Sequence, residues 1–269
     1  MGALSAVHGI VARDLARTTR QTSRLLGGLA RPFLWLLLVG TGYNAIARLE
    51  GGLSYQEFVF PGMVVMAALF GGMLTAISTV YDREFGMLRL MLASPAGVPA
   101  VLTGRGLAAT LVGLFQGGVV LAFAPLVLRV TALQMVQAIG ALALAAAASG
   151  LLGLLVAARL RSVENFAGVI NVVLFPLLFL SGALYPTAGM PPVFRAIARL
   201  NPVTYAVDLM RHALGQQGEF RTWEDAGALL AASGIAFLAA ALLFDPEQRF
   251  VGRGPTGSAI EERPPASAG

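Results

Sequence analysis

A run of about 20 largely uncharged residues, coiled as a helix, can cross a bilayer with its backbone polar groups bonded internally. Five such runs occupy this chain: Phe58 to Val80, Gly106 to Leu128, Leu133 to Ala158, Phe166 to Tyr185 and Ala226 to Phe244. A sixth, Pro32 to Ala47, is short and lies between Arg31 and Arg48. Extended back to Leu25 it reaches spanning length, provided Arg31 snorkels to the interface. Only 12% of the residues are charged, against about a quarter in a soluble domain. The sequence therefore predicts an all-α integral membrane protein with six transmembrane helices.

The arginines orient it. All 19 basic residues are Arg, with no Lys anywhere, and the net charge is +5. In so apolar a chain that excess reads as topology, and no nucleic-acid partner is expected. With both termini inside, the inner segments carry Arg13, Arg17, Arg20, Arg24, Arg31, Arg83, Arg89, Arg105, Arg159, Arg161, Arg249, Arg253 and Arg263. The short outer loops hold only Arg48 and Arg129; the other outer arginines lie in a long loop, where the positive-inside rule has less force. The expectation is a multi-pass protein of the inner (plasma) membrane, N-in and C-in. "VARDLARTTRQTSR" stays polar where a secretory signal would turn apolar.

Three parts follow. Residues 1–24 form an amphipathic cytoplasmic arm, 25–245 the six-span domain, and 246–269 a cytoplasmic tail. From Gly252 the tail is rich in Pro, Gly and Ser and is expected to be disordered. In the arm, Arg13, Arg17, Arg20 and Arg24 share one helical face, with Val7, Val11 and Leu15 on another. That pattern predicts an interfacial helix on the inner leaflet, drawn to anionic lipid.

Two connecting segments stand out. Between Tyr81 and Arg105, Phe85, Leu88 and Leu92 make a short apolar stripe, and Pro95 and Pro99 end any helix. The segment is long for a connector, and its stripe needs a cover. With Arg83 and Glu84 beside the stripe, it reads as a docking element for a soluble partner. The second segment precedes the last span. Pro191 and Pro192 can start one helix, with Phe194, Ile197 and Ala198 on one face and Arg195 and Arg199 on the other. Asn201 caps the next, with Pro202 at its first position and Asp208 three and four residues before Arg211 and His212. Short re-entrant or interfacial helices are expected there.

Several chemistries are disfavoured. Without Cys there is no thiol nucleophile or Cys-ligated metal, and without Lys there is no Walker A phosphate loop. His8 lies in the arm and His212 in a loop, which leaves no buried Ser–His pair for an intramembrane protease. None of the 14 acidic residues falls in the five long runs, which weighs against a lipid-modifying enzyme, a metal site or a proton-coupled carrier. Asn44, Thr75, Ser78, Gln116, Ser149 and Asn171 read as hydrogen bonds between helices. Gly113 with Gly117, and Ser149 with Gly153, permit close helix packing.

"DREFGMLRLMLASP" followed by "LTGRGLA" resembles the cytoplasmic loop of ABC-2 type exporter permeases, such as daunorubicin-resistance and nodulation lipo-oligosaccharide exporters. Asp82, Arg83, Glu84, Gly86, Leu88, Ser94, Pro95 and Gly104 match that family's pattern; Met87 replaces its usual Thr and Arg105 its usual Lys. "LNPVTYAVDLMRHALG" resembles the family's segment before the last span through Asn201, Pro202, Thr204, Tyr205, Arg211 and Gly215. An importer's EAA-type loop with its distal Gly is not present. The resemblance implies a permease subunit, itself not an enzyme and without a cofactor, that pairs with a second copy. It implies two separate ABC ATPase subunits, holding the ATP and Mg²⁺ and docked through the Asp82 loop. The implied cargo is hydrophobic or amphipathic, with a drug or antibiotic favoured over a glycolipid, lipo-oligosaccharide or other envelope component.

Overall fold

The computed structural model describes residues 3–44, 52–92, 97–160 and 162–243. The expected tail 246–269, Ser94, Pro95, and the side chains of Arg24 and Leu92 lie outside what is described. Helix is the regular structure throughout the described residues. Helices α1 (Ala3–Arg20) and α2 (Thr22–Leu34) are separated at Gln21, whose backbone leaves the helical range. Pro32 has no N–H to give to the preceding turn. The chain then widens into a π-helical turn, Trp35–Val39, before resuming as α3 (Gly40–Asn44).

Next come α4 (Tyr55–Glu84), α5 (Met87–Leu92), α6 (Gly97–Leu121), α7 (Ala124–Val127) and α8 (Ala132–Arg159). The chain continues through α9 (Val163–Phe179), α10 (Pro192–Leu200), α11 (Pro202–Ala213) and α12 (Thr222–Leu243). Capping boxes open two of the long helices, Ser54 with Glu57 for α4 and Thr131 with Gln134 for α8.

Among the described residues five helical segments are long and apolar enough to cross a membrane: Leu25–Tyr43, Tyr55–Glu84, Gly97–Val127, Ala132–Arg159 and Thr222–Leu243. The chain is an integral membrane protein by these segments. The expected span from Phe166 to Tyr185 differs. It is α9, of 17 residues, or roughly 25 Å against a hydrocarbon core of about 30 Å. Pro176 removes a donor from its last turn, Ser181 Oγ donates to the Leu178 carbonyl at 2.6 Å, and Gly182 takes a φ of 78° that bends the chain away. Residues 181–185 are therefore turn, not span.

The expected connector between Tyr81 and Arg105 also contracts. Helix α4 carries on to Glu84 and α6 begins at Gly97, which places Arg105 inside α6. Arg31 is held by more than the interface: its guanidinium carbon lies 4.6 Å from the Phe70 ring centroid and 5.9 Å from that of Phe175.

Helix α4 is the hub. Phe60, Met63, Met66 and Leu69 are wholly buried, with α6 and α8 packed along it. Small residues set the approach. A β-carbon on Gly113 would fall 2.8 Å from the Ala68 carbonyl oxygen, and one on Gly72 would fall 3.0 Å from Gly150 Cα. Gly113→Val should therefore cost about 1–3 kcal/mol by overpacking. Gly140→Val, where a β-carbon meets nothing within 4 Å, should cost far less. Thermal unfolding of the two variants in detergent checks this.

Candidate functional site

The two ends of α4 are built differently. At the Tyr55 end, the Tyr55 hydroxyl donates to the Leu184 carbonyl at 2.8 Å and the Gln216 amide donates to the Glu57 carbonyl at 2.7 Å, so loops close the bundle. The Glu84 end collects charge.

Asp82, buried in the last turn of α4, is the centre of that charge. Its Oδ2 accepts from Arg13 Nη2 at 2.8 Å and from Arg105 Nη2, and its Oδ1 accepts from Arg17 Nη1 at 3.0 Å. Asp14 joins the cluster: its Oδ1 accepts from Arg13 at 3.0 Å, and its Oδ2 lies 3.5 Å from Arg105 Nη1. Arg105 is 1% exposed, the largest side chain among the most deeply buried. Three helices, α1, α4 and α6, thus meet through three guanidinium groups and two carboxylates. Ile10 of α1 seals the contact against Gly104, where a β-carbon would fall 2.9 Å from Ile10 Cγ2.

The next two residues secure two more helices. Arg83 Nη1 donates to the carbonyls of Ala157, Ala158 and Leu160 at 3.1, 2.8 and 3.0 Å, covering the unsatisfied C-terminal end of α8. Glu84 Oε2 accepts the N–H of Val163 at 3.2 Å, placing a negative charge at the first turn of α9. Asp82, Arg83 and Glu84 therefore reach four neighbouring helices and, with α4 itself, fasten five helices at one end.

Beyond them Gly86, at φ 76°, turns the chain from α4 into α5. This turn divides the expected apolar stripe. Leu88 is buried within the chain against Val101, Leu102, Leu154, Ala158 and Ala240. Phe85 is 72% exposed, its ring stacked 6.2 Å from that of Tyr81, and Met87 is exposed beside it. The stripe is a core anchor and a surface knob, not one face.

The basic face of α1 is divided in the same way. Arg13 and Arg17 reach inward to Asp82, while Arg20 faces out. The sequence alone does not assign Asp14 and Arg105 to this cluster. Asp14 falls four residues after Ile10, on the edge of the basic stripe, and Arg105 is the one charge in an apolar run. Each is a signal visible only once the helices are packed.

The Asn201 segment is an internal brace at the other end of α4. Asn201 Oδ1 accepts from Val203 N at 3.0 Å and its Nδ2 donates to the Leu177 carbonyl at 2.6 Å, capping α11 and tying it to α9. With Pro202 in the first turn, Thr204 Oγ1 donates to the Ala198 carbonyl at 2.7 Å and the Tyr205 hydroxyl donates to the Arg199 carbonyl at 2.6 Å. Asp208 accepts the N–H groups of Glu219 and Phe220 at 2.9 and 2.8 Å. Arg211 Nη2 donates to the Gly182 carbonyl at 2.6 Å, with its guanidinium 4.3 Å from the Phe58 ring centroid. Burial lowers the Arg211 guanidinium to about 10, against the pull of Asp208 and Glu219, so it stays charged at neutral pH. Helix α11 is buried along most of its length, whereas α10 lies at the periphery with Val193, Phe194, Ile197 and Leu200 exposed.

A family model described as ABC-2 type transporter matches residues 6–214, from the Asp82-facing arm through the Asn201 brace. The chain is 32% identical over 190 residues to Nodulation protein J of Rhizobium leguminosarum bv. trifolii, covering 70% of this chain and 72% of that protein. It is 29% identical over 233 residues to Nodulation protein J of Bradyrhizobium diazoefficiens, covering 82% and 85%. Over 216 residues it is 28% identical to the putative transport permease ycf38 of Porphyra purpurea, covering 78% and 74%.

Proposed function

The chain belongs to the ABC-2 type transporter family, and we propose that it is the membrane-spanning subunit of an ATP-driven exporter. Two copies pair, and each docks a separate ATPase chain that holds ATP and Mg²⁺. The Asp82 end of the bundle faces the cytoplasm, with both termini inside and the plasma membrane as its site. Arg20 meets the inner leaflet, and the apolar residues of α10 lie in the outer interface.

One observation carries this reading. Asp82, Arg83 and Glu84 fasten α1, α4, α6, α8 and α9, and the Phe85 knob projects from the same point. A push on that knob moves five helices as a unit, which is what coupling a soluble motor to a membrane path requires. The cargo is hydrophobic or amphipathic, and a drug or antibiotic is favoured. A second reading, export of a glycolipid, lipo-oligosaccharide or other envelope component, draws support from relatives named for nodulation.

The test is reconstitution. In liposomes the purified chain should neither hydrolyse ATP nor move an amphipathic dye, and both activities should appear with its co-expressed ATPase. Hydrolysis or transport by this chain alone would remove the proposal.

A further inference from the structure

Between α11 and α12 lies a cluster that the ion network and the brace leave unexplained. His212 Nε2 stands 3.7 Å from Asp208 Oδ2 and 3.8 Å from Asp225 Oδ2, with all three ligand atoms within 4.8 Å of one another. Asp225, in the first turn of α12, is fully buried, yet neither carboxylate oxygen has a hydrogen-bond partner among the described residues. An unpartnered buried carboxylate is costly, and it faces a second buried carboxylate across a single imidazole. We propose that Asp208, His212 and Asp225 bind a divalent transition-metal ion of the zinc type, which ties α11 to the first turn of α12.

The donor set fits that ion. One imidazole nitrogen and two carboxylate oxygens are common zinc ligands, at roughly 2.0–2.2 Å each, so ligand atoms around a tetrahedral ion stand about 3.3–3.4 Å apart. The observed 3.7 and 3.8 Å from the imidazole need a few tenths of an ångström of closure, and the two carboxylate oxygens draw together from within 4.8 Å. The Phe220 carbonyl oxygen, 2.8 Å from the same nitrogen, is a fourth donor at hand. Without an ion, Nε2–H can donate to that carbonyl; binding moves the proton to Nδ1, so that the Nε2 lone pair serves the ion. Asp208 is already oriented by the N–H groups of Glu219 and Phe220, as metal-binding carboxylates are by their outer shell. A divalent cation also cancels the two carboxylate charges. Gly218 closes the site, since a β-carbon there would fall 2.3 Å from His212 Nε2 and 2.8 Å from Asp208 Oδ2.

Full-length chain without a polyhistidine tag, stripped by chelator in detergent, is titrated with Zn²⁺ by calorimetry and with Co²⁺ by visible absorption. The expected result is one Zn²⁺ per chain and the intense Co²⁺ spectrum of a low-coordinate site. His212→Gln, Asp225→Asn and Gly218→Ala should each weaken Zn²⁺ binding at least about tenfold. Glu164→Gln, on exposed α9 surface, should bind as the parent does. A parent chain with no saturable Zn²⁺ binding would overturn the proposal whatever the variants do. Folded variants that bind with parental affinity would overturn it equally.

Discussion

Replacing Asp82 by Ala is expected to destabilise the chain by about 3–5 kcal/mol and to abolish transport. The residue accepts from three guanidinium groups, and one of its donors, Arg105, has no route to water. Arg13 and Arg17 are partly exposed and can turn outward, so the penalty concentrates on Arg105, which keeps only the Asp14 carboxylate at 3.5 Å. This assignment has its own check. Adding Arg105→Met to Asp82→Leu removes the stranded charge and should restore much of the stability, because a buried ion pair exchanged for apolar packing is often neutral. Arg20→Ala, on the outward side of α1, should change the unfolding temperature little.

The opposite signature is expected for Phe85→Asp, with normal stability and lost function. At 72% exposure the ring contributes little to the core, so folding and membrane insertion should persist. A charge on an aromatic anchor in an interface commonly costs at least 2 kcal/mol of binding, or roughly 30-fold in affinity. Co-purification of the ATPase and stimulated ATP hydrolysis should both fall accordingly. Leu88→Asp would lower stability instead, since Leu88 is packed inside the chain. A thermal melt beside a pull-down separates the two.

Much of the architecture could be read from hydropathy alone, because α4, α6, α8 and α12 are near-continuous apolar helices. Where that reading erred, a local break was hidden by an apolar stretch. Leu180, Ala183 and Leu184 keep the run after α9 oily, but Gly182 has already turned the chain. The stripe of Phe85, Leu88 and Leu92 assumed one continuous helix, and the left-handed Gly86 breaks it between the first two. The charged cluster was half legible. Asp82 was conspicuous in its triplet, whereas Asp14 lies 68 residues before it and Arg105 lies 23 after it. No periodicity links positions that distant; only the packing of α1 across α4 and α6 does.

Coupling of the bundle to a soluble motor requires the Phe85 knob to meet the ATPase. The chain has no cysteine, so Phe85→Cys places a single thiol there, and a benzophenone attached to it can be activated by light in the assembled complex. Leu126→Cys, 81% exposed in α7 at the opposite end, carries the same label as a control. The expected result is a covalent adduct between the position-85 label and the ATPase chain, with none from position 126. An intact complex in which position 85 captures only lipid, or in which position 126 captures the ATPase, would rule out docking through Phe85.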